Sequence, residues 1–260
     1  MSTKYWANGE QQADGLDRGL QFGDGHFTTV RVNQGKPLWW EYHIQRLAHA
    51  NKQLLLPTFD RDQVEQYIQQ AVVGDESCAV KIIVTRGTGG RGYTAPAAAN
   101  PCIYLVKSPL PKIETSLQNV VTAEIQLGQQ PRLAGLKTLN RLEQVLLASE
   151  RQQREVDDLL VLDQQNSIIE ACQGNLFWQT NKGWFTPKLE KCGVDGVARQ
   201  VILANQWLGS VTQSEFTIAD IEAAETVFVC NSLRGAVPIK RLNGKVLNTS
   251  LPLQLNALIE

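Results

Sequence analysis

The residue least easily explained as surface decoration is Lys137. It lies in the stretch LAGLKTLNRLEQ, Leu133 to Gln144, where an apolar, glycine-containing approach leads into a helix. Lysine is ordinarily exposed, so here it either snorkels to water or is kept for its chemistry. A free lysine amine has a pKa of about 10.4, and almost none of it is neutral at pH 7 unless burial shifts it. A sheltered lysine therefore suits Schiff-base chemistry with an aldehyde.

Other residue types extend that chemistry. Glu170 ends the apolar run of NSIIEACQGNLF as it enters a turn, where a carboxylate suits a ring nitrogen or an ordinary salt bridge. Gly196 opens the helix VARQVILANQWL, which directs the amides of Val197 and Ala198 at an anion. Arg46 on YHIQRLAHA and the Asn231-Ser232 pair after TVFVC are further donors. Each has a plain alternative: a solvated helix arginine, a salt-bridge partner, a turn glycine, a strand-end cap. An amine, an acid and a cup of anion donors are together what pyridoxal 5'-phosphate needs.

Two other motifs are weaker. RGTGGRGY, Arg86 to Tyr93, has GxGxxG spacing directly after a strand, but the following TAPAAANP opens no helix to receive a pyrophosphate. The stretch reads either as a flexible glycine loop or as one that aims Arg86, Arg91 and Tyr93 at an anionic ligand, since arginine forks match carboxylates. Cys172 and Cys192 lack a flanking base to activate a thiol, so packed cysteines are expected.

Bulk properties narrow the class. The 260 residues are 43% hydrophobic and 20% charged, enough for a substantial core in one large domain or two smaller ones. With 25 Lys+Arg against 26 Asp+Glu, neither sign dominates, and no nucleic-acid or membrane footprint is expected. A small-molecule partner is the default. The five cysteines are widely spaced without a CxxC pair, and the histidines His26, His43 and His49 form no metal-binding pattern, so no metal is expected. No segment approaches the roughly 18 to 20 apolar residues of a membrane span, and MSTKYWANGE has no signal-peptide core, so a cytoplasmic protein is expected.

The elements that must position these residues are readable in outline. HFTTVRVNQGKPLWW reads as a hairpin, followed by helices over 41–55 and 61–73 and by the buried-type strand CAVKIIVTR. The proline-bearing KSPLPKIETS suggests a linker at 108–116 between a smaller domain, 1–107, and a larger one, 117–260. The helix after Lys137 is expected to bury Leu139, Leu142, Val145 and Leu146. LLVLDQQNSIIEA and NLFWQTNKGWFTP predict an antiparallel meander, before a helix over 197–208, a short helix in TIADIEAAE and the strand TVFVCNS.

FGDGHFTTVRV, HIQRL, VTRGTGGRGY, LAGLKTLNRLEQV, IIEACQGNLFW and GVARQ, spread over nearly the whole chain, resemble the 4-amino-4-deoxychorismate lyase family of fold-type-IV pyridoxal-phosphate enzymes. That fold type also includes branched-chain and D-amino-acid aminotransferases. The resemblance implies an α/β fold of α+β type, with a smaller N-terminal α/β domain, a larger barrel-like C-terminal domain, and the cofactor in the cleft between them of a homodimer. By the same resemblance Lys137 is the Schiff-base lysine and Glu170 the partner of the pyridine nitrogen. Arg46, Val197, Ala198, Asn231 and Ser232 are then the phosphate contacts. The implied substrate, 4-amino-4-deoxychorismate, bears two carboxylates, for which Arg91, Tyr93, Arg31 and Arg86 are candidates, with Thr29 lining the pocket. It would yield 4-aminobenzoate and pyruvate, with Lys137 as the base. An aminotransferase of the same fold, or a non-catalytic small-molecule or nucleotide-binding module using the glycine loop, are the alternatives.

Overall fold

The computed structural model describes residues 4–7, 10–11, 17–74, 77–88, 92–97 and 99–260. The chain divides into two compact units. One holds the chain up to Pro111 together with Leu136–Asn140 and Glu260, and the other holds Lys112–Gly135 and Arg141–Ile259. Along the sequence, the first unit gives way to the second after Pro111. The Lys137 segment, read as part of the C-terminal domain, groups instead with the N-terminal unit, because its backbone bonds to a strand there.

In the first unit a six-stranded sheet is built from β1 (Lys4–Ala7), β2 (Glu10–Gln11), β3 (Gly25–Asn33), β4 (Lys36–Pro37), β5 (Cys78–Thr85) and β6 (Cys102–Ser108), in the order β2-β1-β6-β5-β3-β4. A short helix, α1 (Arg18–Phe22), precedes β3, and α2 (Trp40–Gln53) and α3 (Arg61–Ala71) lie between β4 and β5. Strict alternation along β3 decides which face is which. Val30 and Val32 join Ile44 and Leu47 of α2, Val64 and Ile68 of α3, and Val80, Ile82 and Val84 of β5 in one core. Phe27, Thr29 and Arg31 lie half-buried on the opposite face. The segment 136–140 runs beside the start of β3: the Phe27 amide donates to the Lys137 carbonyl at 2.9 Å, and the Leu139 amide to that of Gly25 at 3.0 Å.

The second unit has two five-stranded sheets. One contains β10 (Asn175–Thr180), β11 (Gly183–Pro187), β12 (Val211–Ser214), β13 (Thr226–Asn231) and β14 (Gly235–Pro238), in the order β12-β11-β10-β13-β14. The other contains β7 (Val120–Thr122), β8 (Asp158–Leu162), β9 (Ile168–Ala171), β15 (Arg241–Leu242) and β16 (Lys245–Val246), in the order β16-β15-β7-β8-β9. The antiparallel pairs β8–β9 and β10–β11 lie where the meander is expected, but its barrel-like character is corrected, since neither sheet closes on itself. Long crossovers also bring parallel neighbours into both sheets. Helix α4 (Leu142–Gln153) separates β7 from β8 and helix α5 (Val197–Ala204) separates β11 from β12, and both strand pairs are parallel, as long connections allow. A further short helix, α6 (Ile218–Glu222), precedes β13.

The expected burial of α4 is also corrected. Leu142, Val145 and Leu146 are 79%, 57% and 55% exposed, whereas Leu147 and Glu150 face inward. The Glu150 carboxylate sets that orientation by accepting the backbone amides of Glu124 at 2.8 Å and Ile125 at 3.1 Å. A polar anchor thus overrides the apolar stripe, which stays uncovered in the protomer. Among the described residues, no helix is long and apolar enough to cross a membrane.

Candidate active site

In the first unit, Lys137 is held by the backbone pairing with β3, and its amine stands over the Phe27 ring with Nζ 4.9 Å from the centroid. A second amine uses the same ring. Lys81 Nζ lies 4.2 Å from it, and Lys81 is paired directly across the sheet with Thr29, so both side chains share one face. Burial pulls the Lys81 amine below the usual lysine range. Sequence reading missed Lys81, although a lone charge inside CAVKIIVT was the signal. Arg31 follows on the same face; its Nε donates to Asn33 Oδ1 at 2.9 Å, and burial lowers its pKa. Arg46, on α2, is half-buried, and its positive charge reaches His26 and His43 behind the sheet.

The glycine-rich loop is braced by a charged network. Arg86 places Nε and one terminal nitrogen on Asp24, at 2.8 and 3.1 Å, and gives further bonds to the Leu55 carbonyl at 2.7 Å and the Leu54 carbonyl at 3.0 Å. That guanidinium is committed to holding the chain, so the reading of Arg86 as a free fork for a substrate carboxylate is replaced by a structural role. Arg18, buried and missed by sequence reading, donates to Asp24 at 2.9 Å and to the carbonyls of Gly92 and Tyr93, both at 3.0 Å. Burial works against the Asp24 carboxylate, but the hydrogen bonds from Arg86 and Arg18 outweigh it and leave its pKa below the usual range. Tyr93 is 88% exposed, with its ring 5.5 Å from that of Phe22. Arg91 lies outside the described residues. No helix follows β5 among the described residues of this loop, as the failed dinucleotide motif requires.

In the second unit, Glu170 is 7% exposed on β9, and its Oε2 accepts the Val194 amide at 2.9 Å. That approach needs Gly193, which has φ +83°; a Cβ there would come within 2.6 Å of Ile169 and 2.9 Å of Leu189. The turn then enters α5. Asn175 on β10 accepts the Gly196 amide on Oδ1 at 2.9 Å and donates from Nδ2 to the Val194 carbonyl at 2.8 Å. Gly196 caps α5 without a side-chain acceptor for the first turn, so the amides of Val197 and Ala198 have no partner within the helix. Asp195 is turned aside, bonded to Arg199 at 2.8 Å and Gln200 at 3.0 Å. Burial lowers the pKa of Arg141, with Glu170 and Glu143 acting in the opposite sense.

Asn231 has its side chain occupied within its own turn. Its Oδ1 accepts the amides of Leu233 and Arg234, and its Nδ2 donates to the Gln173 carbonyl at 2.9 Å. Ser232 follows it at the head of the hairpin that joins β13 to β14. All five cysteines are free thiols, and burial pushes Cys172, Cys192 and Cys230 up to about 12, which suits packing and not nucleophilic attack.

A family model described as amino-transferase class IV matches residues 25–242. An aminodeoxychorismate lyase from Vibrio harveyi is 35% identical over 249 residues, spanning 92% of this chain and 91% of that protein. Among solved structures, 4-amino-4-deoxychorismate lyase from Pseudomonas aeruginosa superposes with a TM-score of 0.88 at 34% identity, covering 98% of this chain and 96% of that one. A hypothetical aminotransferase from Mycobacterium tuberculosis, in a PLP-bound form, shares the fold with a TM-score of 0.79 at 17% identity over 98% of this chain and 97% of that one.

Proposed function

The chain belongs to the class IV amino-transferase family, and on that premise we propose that it is a pyridoxal-phosphate-dependent lyase converting 4-amino-4-deoxychorismate to 4-aminobenzoate and pyruvate, a step toward folate. The observation that carries this reading is likeness over nearly the full length, at 35% identity, to a protein named for that lyase. A cytoplasmic homodimer goes with it, the uncovered stripe of α4 being the surface offered to a second copy.

The residues present fit the cofactor. Glu170 is a buried carboxylate already oriented by the Val194 amide, and the turn into α5 presents first-turn amides with the carboxylate of Asp195 tied away. That is a donor set for a phosphate and not for a cation. Pyridoxal phosphate supplies an aldehyde for an amine and a ring that accepts electrons when a substrate proton leaves.

Each residue then has a defined task. Lys137 Nζ would hold the cofactor through its aldehyde, and as a free amine it would be the base that takes the proton from the substrate carbon bearing nitrogen. A well-placed base is worth about 10²- to 10⁴-fold. Glu170 holds a proton on the ring nitrogen. The amides of Val197 and Ala198 receive the phosphate, with Ser232, the Asn231 backbone and Arg46 as further partners. Lys81, with Arg31 and Thr29 on the same sheet face, binds substrate carboxylate, and Arg91 and Tyr93 of the glycine-rich loop take the same role. Removing the proton beside the carbon bearing the enolpyruvyl ether would form the last ring double bond as the ether C–O bond breaks. Enolpyruvate would leave and take up a proton, from the Lys137 ammonium or water, to give pyruvate, and aromatisation of the ring makes the step downhill.

The test separates a lyase from an aminotransferase. The cofactor-loaded protein is given either 4-amino-4-deoxychorismate or an amino acid, D-alanine or L-leucine, with 2-oxoglutarate. Consumption of the first alone supports the lyase, and rapid glutamate formation with no 4-aminobenzoate overturns it.

A further inference from the structure

Gly196 is not a glycine because of its backbone. Its φ of −65° and ψ of 142° are open to any residue. It is a glycine because a Cβ at this position would overlap Asn175 Oδ1, the atom that accepts the Gly196 amide. Asn175 is itself buried, at 4% exposure, and spends its donor on the Val194 carbonyl at 2.8 Å. One carboxamide therefore grips the turn at two points two residues apart. Glu170 takes the amide of the same Val194 at 2.9 Å. Both side chains come from β9 and β10, consecutive strands of different sheets joined by the tight turn at Ala171–Gly174, so one short stretch of chain fixes the whole run from Val194 to Gly196.

That run sets where the first-turn amides of α5 point. Taking the Gly196 amide as a donor to Asn175 removes it from competition and leaves Val197 and Ala198 as first-turn amides with no acceptor from the cap or within the helix. Resting on the phosphate role proposed above for those two amides, we infer that Asn175 is a positioning residue for phosphate recognition: it never touches the anion but holds the Val194–Gly196 turn so that the α5 amides converge on it. Asp195 sits within the same gripped run, and its bonds to Arg199 and Gln200 keep a like charge away from the anion.

The test compares two probes on the full chain stripped of cofactor, pyridoxal 5'-phosphate and unphosphorylated pyridoxal, with affinities read from quenching of intrinsic fluorescence and the bound phosphate followed by ³¹P NMR. The expected result for Asn175→Ala is loss of about ten-fold or more of the preference for the phosphorylated probe, with pyridoxal affinity unchanged and a shifted phosphorus resonance. Gly196→Ala, whose Cβ displaces the Asn175 carboxamide, should reproduce that loss and keeps the test open if Asn175→Ala does not fold. An unchanged preference in folded Asn175→Ala or Gly196→Ala overturns the positioning role alone. Equal affinity of the unmodified protein for the two probes overturns the phosphate seat itself, and with it this inference.

Discussion

Phe27 holds Lys137 at both ends: its amide donates to the Lys137 carbonyl at 2.9 Å, and its ring lies 4.9 Å from the lysine amine. Lys81 meets the same ring at 4.2 Å, so two amines share one aromatic face. One of them is assigned to bond with an aldehyde and the other to attract a carboxylate.

The two roles come apart on substitution. Lys81→Met should raise KM for the dicarboxylate substrate and lower kcat/KM about 10- to 100-fold, the loss of one charge-assisted bond, while the absorbance of bound cofactor stays as it was. Steady-state kinetics with parallel spectra check this. Loss of the cofactor band in that variant would place Lys81 in cofactor binding.

Glu170→Gln keeps an oxygen for the Val194 amide but gives up the charge that keeps a ring nitrogen protonated. Cofactor binding should persist while kcat falls about 100-fold or more. Stopped-flow turnover at saturating substrate measures it, and an unchanged kcat would remove Glu170 from the chemistry.

Stability should fall on acidification for a reason rooted behind the sheet. Burial, reinforced by the Arg46 charge, pulls His43 down to about 3; burial, opposed by the bond to Asn51 and aided by Arg46, pulls His26 down to about 4. Both stay neutral in the folded chain, whereas the unfolded chain takes up protons below 6.5. The contribution is thus whole above pH 6.5 and is lost at about 1.4 kcal/mol per pH unit for each histidine as pH falls toward 4. Asp158, pushed up to about 6 by burial, acts in the opposite sense, so the readout is a difference. Thermal melts of the unmodified protein and of His43→Asn should converge as pH drops from 7 to 5. A constant gap between them would contradict the linkage.

The exposed stripe of α4 predicts an oligomeric state. Val145→Glu with Leu146→Glu should turn a dimer into a monomer at micromolar concentration without lowering helix content, since both side chains are more than half exposed in the protomer. Sedimentation velocity decides, and a dimer that survives both changes would move the interface elsewhere.

Local pattern made much of this legible. The alternation of HFTTVRV, the stripe of α2 and the strand around Lys81 are set by burial on one known face, and the structure has them where periodicity predicts. The α4 stripe misled because the deciding contact is a long-range one, Glu150 reaching the amides of Glu124 and Ile125. Parallel neighbours across α4 and α5 were hidden for the same reason: crossover pairing leaves no mark on adjacent residues. Among the site residues, Glu170 and the opening of α5 were visible as types at element ends. Arg18 and Asn175 were not, because a buried polar residue announces itself only through the backbone groups that it satisfies, and those lie 74 and 19 residues away in sequence.

The most direct test of the account is stoichiometric. The cofactor-loaded protein is incubated with 4-amino-4-deoxychorismate, and 4-aminobenzoate and pyruvate are quantified together, with Lys137→Ala as control. The account predicts equimolar products that vanish in the variant. Neither product from a protein that binds the cofactor, or undiminished turnover by Lys137→Ala, would contradict it.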